Sequence, residues 1–255
     1  MKLHKTPRLI LVGAGPGSPD LITLRGLRAI RTADVILYDA LVNTALLDEA
    51  PDALHVFVGK RSGRHHRSQS EINALTIEMA HQHGTVVRLK GGDPFIFARG
   101  AEELTAAAAA GLETEVIPGL SSATSLPLGQ GIPLTQRFVS ESFWVITGTN
   151  SKRELPEDIG LAAQSKATVV ILMGIGKLSE ILKVFKTYGR GSEPIAVIQK
   201  GSTPEESIDI GTINDFHLVL QQRKLEKPGI IVIGEVVRHR QTLSNICAPY
   251  NQNIA

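Results

Sequence analysis

The chain has 255 residues, a formal net charge of +2, 42% hydrophobic and 20% charged residues, and one cysteine, Cys247. That is the composition of an ordinary globular protein long enough to bury a real core, with no general case for nucleic acid and no intrachain disulfide or zinc quartet. No apolar run approaches the ~18 residues of a membrane span, and Met1-Lys2-Leu3-His4-Lys5 lacks a signal-type apolar core, so a cytoplasmic protein is expected.

From the N-terminus, strand-like runs cover Leu9 to Val12, Val35 to Tyr38, Leu54 to Val58, Thr85 to Leu89 and Glu113 to Ile117. Helical patterns separate them at about Leu21 to Arg31, Gln69 to His83 and Gly100 to Ala110. Strands rich in Val, Ile and Leu without clean polar alternation predict a mainly parallel sheet buried on both faces, with ligands gathered beyond its carboxyl ends. Gly129-Gln130-Gly131-Ile132-Pro133-Leu134-Thr135-Gln136-Arg137 is the expected boundary, giving an N-terminal domain over 1–133, a second over 134–240 and a tail over 241–255. The second part shows strands at Phe143 to Ile146, Thr168 to Met173, Ile195 to Gln199, Ser207 to Ile210 and Ile230 to Gly234, and helices at Lys177 to Tyr188 and Ile213 to Gln222. Short strands near Glu205 to Gly211 predict a hairpin and a mixed sheet. The tail is expected to be poorly ordered or used in association.

Two glycine-rich strand-to-helix corners concentrate the chemistry. Gly13-Ala14-Gly15-Pro16-Gly17-Ser18 follows the first strand, with Ser18 expected to cap a helix that has Pro19 at its first position. Asp39, ending the next strand, stands where a dinucleotide-binding protein places its ribose carboxylate. Against that reading, Pro16 removes an amide that would bind pyrophosphate, and Ser18 replaces the third glycine of the fingerprint. The second corner, Lys90-Gly91-Gly92-Asp93-Pro94-Phe95-Ile96-Phe97-Ala98-Arg99-Gly100, reads either as a tight turn leading to a helix or as a ligand loop, in which glycine backbone comes close and Asp93 grips an ammonium or hydroxyl. Basic residues form three clusters, each beside a predicted strand end or glycine turn: Lys60, Arg61 and Arg64 in VGKRSGRH, Arg99 in FARG, and Arg137 after GIPLTQ. His65 and His66 have no second ligand pair at metal-binding spacing, so no metal is expected.

Seven strings in this order, LVGAGPGSPDLITLRGLRAI, ADVILYDALV, VGKRSGRH, VRLKGGDPFIFARGAEE, VIPGLSSA, GIPLTQR and IIVIGEVVR, resemble the tetrapyrrole methylase family from about Arg8 to Arg240. The resemblance implies an α/β, two-domain fold with a mainly parallel N-terminal sheet and a mixed C-terminal sheet with flanking helices. It also implies S-adenosylmethionine as cofactor, S-adenosylhomocysteine as product, and methylation of uroporphyrinogen III at C2 and C7 to give precorrin-2. By resemblance, Pro16, Gly91, Gly92, Asp93, Ile96, Ser121, Ser122, Met173 and Gly201 fall at cofactor positions. On the residues alone, Met173 reads as core and Ser121 and Ser122 as a helix cap.

Asp39 is the implied proton-acceptor candidate and Lys60 the proton-donor candidate, an ion pair between them being the other reading. Arg99 and Glu102 are rival functional residues close to the substrate. A polycarboxylate substrate suits Lys60, Arg61, Arg99 and Arg137, because arginine pairs carboxylates with charge and orientation together. The resemblance further implies a homodimer and no membrane or nucleic-acid partner. The chain departs from the family pattern at Gln136 and Thr149, where relatives carry histidine, and at Ala98 and Ser121, where they carry glycine and threonine. No dehydrogenase-chelatase module precedes the match, so oxidation and metallation are expected of another protein. Other precorrin or diphthamide-precursor methylases, and a catalytically silent ligand binder, share the GGDP corner.

Overall fold

The computed structural model describes residues 5–59 and 67–244, and its packing divides the chain between Ser121 and Ser122. In the first unit, β1 (Arg8–Gly13), β2 (Val35–Tyr38), β3 (Leu54–Phe57), β4 (Thr85–Lys90) and β5 (Glu113–Ile117) form an all-parallel sheet in the order β3-β2-β4-β1-β5. Alternate residues feed opposite faces, as the strand pleat requires. Ile10, Val12, Ile36, Val87 and Leu89 pack with Ala29 and Ile30 of α1 (Leu24–Arg31) and with Leu46 and Leu47 of a 3-10 segment. Leu9, Leu11, Val35, Leu37 and Val86 pack on the other face with Ala80 of α2 (Gln69–His83) and Ala107 of α3 (Gly100–Ala109).

Helix starts follow capping chemistry. Ser68 and Glu71 close a capping box on α2, and the Thr23 side chain accepts from the Gly26 amide at 3.0 Å to open α1. The helix expected from Leu21 therefore begins at Leu24. Ser18 makes no capping bond, because Pro19–Leu21 is only one 3-10 turn and the Ser18 hydroxyl bonds the Asp20 carboxylate.

The second unit is built on a mixed sheet of β6 (Phe143–Thr147), β7 (Thr168–Leu172), β8 (Pro194–Gln199), β9 (Ser207–Thr212) and β10 (Gly229–Ile233), in the order β6-β7-β10-β8-β9. Only β6 and β7 run parallel; β8 and β9 are the expected antiparallel pair. One face packs Val169, Ile171 and Ile231 against α5 (Asp158–Gln164) and α6 (Leu178–Thr187), with Phe185 fully buried, and Phe216 of α7 (Phe216–Gln222) joins them. On the other face α4 (Ser122–Gly129) sets Ala123 and Leu126, with Ile132 beyond it, against Val170, Ala196 and Val232. That packing draws residues 122–133 into the second unit, so the division precedes the Gly129–Arg137 linker expected from sequence. The first residues of the expected tail continue helix α8 (Arg240–Ser244), and Cys247 lies outside the described residues. Among the described residues no helix is long and apolar enough to cross a membrane.

The Phe185→Ala variant is expected to lose about 3–5 kcal/mol of stability, since a fully buried aromatic leaves a cavity that its neighbours only partly fill. Urea denaturation of the full chain measures it.

Candidate active site

All five strands of the first sheet end on one edge, and their glycine loops touch through backbone. A β-carbon built on Gly13 would lie 2.5 Å from the Gly119 α-carbon, a separation that side chains do not tolerate, and one built on Gly119 would collide with the Gly92 carbonyl oxygen. The loops after β1, β4 and β5 are thereby locked into one layer. The Gly92 amide donates to Gly15 O at 2.7 Å, and the Gly15 amide donates back to Gly92 O at 3.3 Å. Gly92 sits at φ 72°, and a β-carbon there would meet nothing within 4 Å. Its missing side chain would face open space. Pro16, Gly91, Gly92 and Asp93 line the same loops and are half-buried.

Asp93 works inside this layer. Its Oδ1 accepts the Phe95 amide at 2.8 Å and its Oδ2 accepts the Gly119 amide at 3.1 Å. The carboxylate that sequence suggested for a ligand is thus first a clamp between loops, and each oxygen keeps a second acceptor site. After it, Phe95, Ile96 and Phe97 are exposed, with Phe97 at φ 53° and Arg99 at φ 60°. Gly100 then opens α3, whose first turn carries Glu102. Arg99 grips that carboxylate with two donors, Nε at 2.8 Å and Nη2 at 2.5 Å, and these bonds hold the Glu102 carboxyl below its usual range.

Asp39 follows β2 on the same edge. Its Oδ1 accepts the Leu41 amide at 3.0 Å, and its Oδ2 faces Arg88 Nη2 at 3.4 Å. Arg88 belongs to a buried charge group that the sequence reading missed. Arg88, Lys90 and Glu103 are each no more than 5% exposed, and Lys90 Nζ meets Glu103 Oε1 at 2.8 Å. The available signal was the strand alternation: Arg88 and Lys90 sit two apart in β4 on the face shared with Val86, which α2 and α3 cover. Burial, reinforced by the Arg88 charge, pushes the Lys90 ammonium below the usual lysine range, against the pull of Glu103. The unfolded chain holds this proton more tightly than the folded one. Lys90 therefore makes the fold more stable as pH rises from the lowered value toward the usual lysine value.

Lys60, Arg61, Arg64, His65 and His66 lie outside the described residues, so an Asp39–Lys60 pair is not among the contacts described. The dinucleotide reading finds no support in the first corner: the glycines lead into a 3-10 turn, α1 starts only at Leu24, and Asp39 faces a guanidinium.

In the second unit the same device recurs. A β-carbon on Gly148, after β6, would strike Gly174, after β7, and between β7 and Gly174 stands Met173, 52% exposed at φ 56°. The sequence alternative of a core methionine is overturned by that exposure. Gly201 is buried against the Leu126 side chain, flanked by Lys200 and Ser202 at positive φ. Ser121 is buried and ends the first unit, Ser122 opens α4, and Arg137 is exposed.

Parallel strand ends packed through glycine backbone, with exposed apolar and basic side chains beside them, make this an α/β protein of the class that gathers ligands at its strand ends. The model of the tetrapyrrole (corrin/porphyrin) methylases matches residues 8–217, and the chain belongs to that family. It is 43% identical over 235 residues to the uroporphyrinogen-III C-methyltransferase of Methanocaldococcus jannaschii, covering 91% of this chain and 97% of that one. It is equally 43% identical to siroheme synthase 1 of Cronobacter sakazakii, covering 92% of this chain and 50% of that protein. Among solved structures, uroporphyrin-III C-methyltransferase from Thermus thermophilus complexed with S-adenosylhomocysteine matches with a TM-score of 0.78 and 37% identity, over 91% of this chain and 99% of that one.

Glu103→Ala is expected to cost about 3–5 kcal/mol, because it strands two buried cations. Glu49→Ala, which breaks the exposed 2.8 Å pair with Arg31, is expected to cost at most about 1 kcal/mol. Paired urea titrations separate the two.

Proposed function

We propose that this chain is an S-adenosylmethionine-dependent C-methyltransferase that methylates uroporphyrinogen III at C2 and C7, giving precorrin-2 and S-adenosylhomocysteine. The near-full-length match to the Methanocaldococcus enzyme carries this reading, and the family match over residues 8–217 takes in the glycine loops described above. The residues present fit the cofactor. Gly92 leaves an opening where a side chain would stand, Ile96 offers exposed apolar surface, and Asp93 retains acceptor capacity. Backbone groups, one carboxylate and apolar side chains suit a ligand that carries an ammonium, a ribose and an adenine but no phosphate. The same proposal assigns Pro16, Gly91, Ser121, Ser122, Met173 and Gly201 to cofactor contacts.

S-adenosylmethionine supplies a methyl group on a positively charged sulfur. Catalysis by the chain is then chiefly alignment of an electron-rich pyrrole carbon opposite that sulfur, with the site holding the macrocycle in line. Arg99 and Arg137, with Lys60 and Arg61, bind substrate carboxylates; Glu102 orients Arg99 through its two-donor pair. Asp39 takes the proton that the methylated macrocycle releases, and Lys60 is the matching donor. Asp39 suits that role because Arg88 holds it with a single 3.4 Å contact, leaving acceptor capacity. A cytoplasmic homodimer belongs to the same reading.

Anaerobic incubation with uroporphyrinogen III and methyl-labelled S-adenosylmethionine, followed by mass analysis of the tetrapyrrole, is expected to show a gain of two methyl groups. An unlabelled macrocycle with cofactor bound would sink the substrate assignment. Gly92→Ala separates cofactor binding from folding. Its β-carbon meets nothing, so stability falls only by the left-handed backbone strain, about 1–2 kcal/mol, whereas calorimetry should register at least about tenfold weaker S-adenosylmethionine binding.

A further inference from the structure

In the charge group beneath Asp39, two atoms find no hydrogen-bond partner among the described residues. Arg88 is anchored to the sheet: Nη1 donates to Leu89 O at 2.8 Å and to Leu37 O at 3.4 Å. From that fixed position Nη2 reaches Asp39 Oδ2 at 3.4 Å, while Nε is buried without a hydrogen-bond partner among the described residues, 3.6 Å from Glu103 Oε1. Glu103 Oε1 accepts from Lys90 Nζ at 2.8 Å and from Gln69 Nε2 at 3.0 Å, and Glu103 Oε2 is buried with no partner among the described residues. The guanidinium is therefore held between two carboxylates and closes fully on neither. A buried guanidinium with an empty Nε beside a buried carboxylate with an empty oxygen is an unusual arrangement, because each such atom costs its full desolvation.

We propose that Glu103 is a positioning residue for Asp39: it shares the Arg88 guanidinium with Asp39, keeps that pair long, and so leaves the Asp39 carboxylate free to accept a proton. The inference rests on the reading of Asp39 as the proton acceptor. Lys90 is the opposing lever, because its ammonium occupies Glu103 and limits how much of that charge Arg88 feels. The other groups facing the cluster are few. From β4 come Arg88 and Lys90, from α3 Glu103 with the Arg99–Glu102 pair at the helix start, and from α2 the uncharged Gln69 and Asn73, while residues 60–66 lie outside the described residues. Removing the Glu103 charge leaves Asp39 as the sole described anion for two buried cations and tightens their hold on it. Removing the Lys90 charge frees Glu103 to take Arg88 and loosens that hold.

The test is carbon-13 carboxyl NMR of the full chain, with the Asp39 signal assigned through Asp39→Asn. In Glu103→Gln the Asp39 signal is expected to move its midpoint to lower pH, and in Lys90→Met to higher pH. Opposite directions are the signature, since a purely structural loosening would move both the same way or neither. Where Glu103→Gln does not fold, Glu103→Asp, whose shorter side chain withdraws from Arg88, replaces it with a smaller shift of the same sign. Unmoved or same-direction midpoints overturn the proposal. Methyl transfer assayed in parallel keeps the two readings apart. In Glu103→Gln, kcat is expected to fall about tenfold with KM for uroporphyrinogen III unchanged. Variants that shift in opposite directions beside a wild type that transfers no methyl group would overturn the functional reading and leave the electrostatic coupling standing.

Discussion

The backbone contact among Gly13, Gly92 and Gly119 is the constraint on which the first unit's site depends. Parallel strands bring their carboxyl ends to one edge, but adjacency alone would leave three separate loops. Here the loops share a volume that no β-carbon could enter, so they are packed as backbone on backbone. That packing fixes the Gly15–Gly92 amide exchange and lets Asp93 bond the Gly119 amide, and the wall so formed presents peptide groups rather than side chains. The left-handed conformations of Phe97 and Arg99, each costing about 1 kcal/mol or more, are the local consequence of turning the chain from this layer into α3.

A second consequence comes from the sheet being covered on both faces. Its interior positions must be apolar, so polar chemistry is pushed to the strand ends, where Asp39, Asp93 and Arg99 stand. Arg88 and Lys90 break that rule, Lys90 as the last residue of β4 and Arg88 two residues before it. Buried ion pairs of this kind rarely repay their desolvation against well-packed apolar residues. Their presence is therefore poor economy for folding alone, and the direction of the guanidinium, toward Asp39 at the edge, is what distinguishes it from a sheet-spanning structural pair.

The sequence disclosed the strands almost residue for residue because each is a short Val, Ile and Leu run closed by glycine or a charged residue. Helices α4 and α5 escaped it for identifiable reasons. Pro127 interrupts the pattern of Ser122–Gly129, and Asp158–Gln164 is too short to display a period, its identity as a helix coming from the burial of Ile159, Ala162 and Ala163. Within the site, the glycine corners, Asp39 and the Arg99–Glu102 step were legible as residue types at strand ends. The role of Asp93 as a clamp was not, since its partner Gly119 is distant in sequence and uses a backbone amide that no side-chain pattern reveals. Glu103 was hidden beside Glu102: adjacent carboxylates on one helix turn look alike in sequence, yet helical geometry turns one into the charge group and leaves the other exposed with Arg99.

The second unit repeats the glycine contact and the left-handed turns with a different sheet, so neither belongs to one topology. Its sheet is mixed, its helices are differently ordered, and nothing in strand pairing requires a non-glycine residue in the left-handed region after β7 or β8. Met173, Lys200 and Ser202 nevertheless adopt it, directly beside Gly174 and Gly201 at the points of tightest packing. A methionine turned outward there places a flexible, polarisable side chain on the surface at a conformational cost that core packing does not refund.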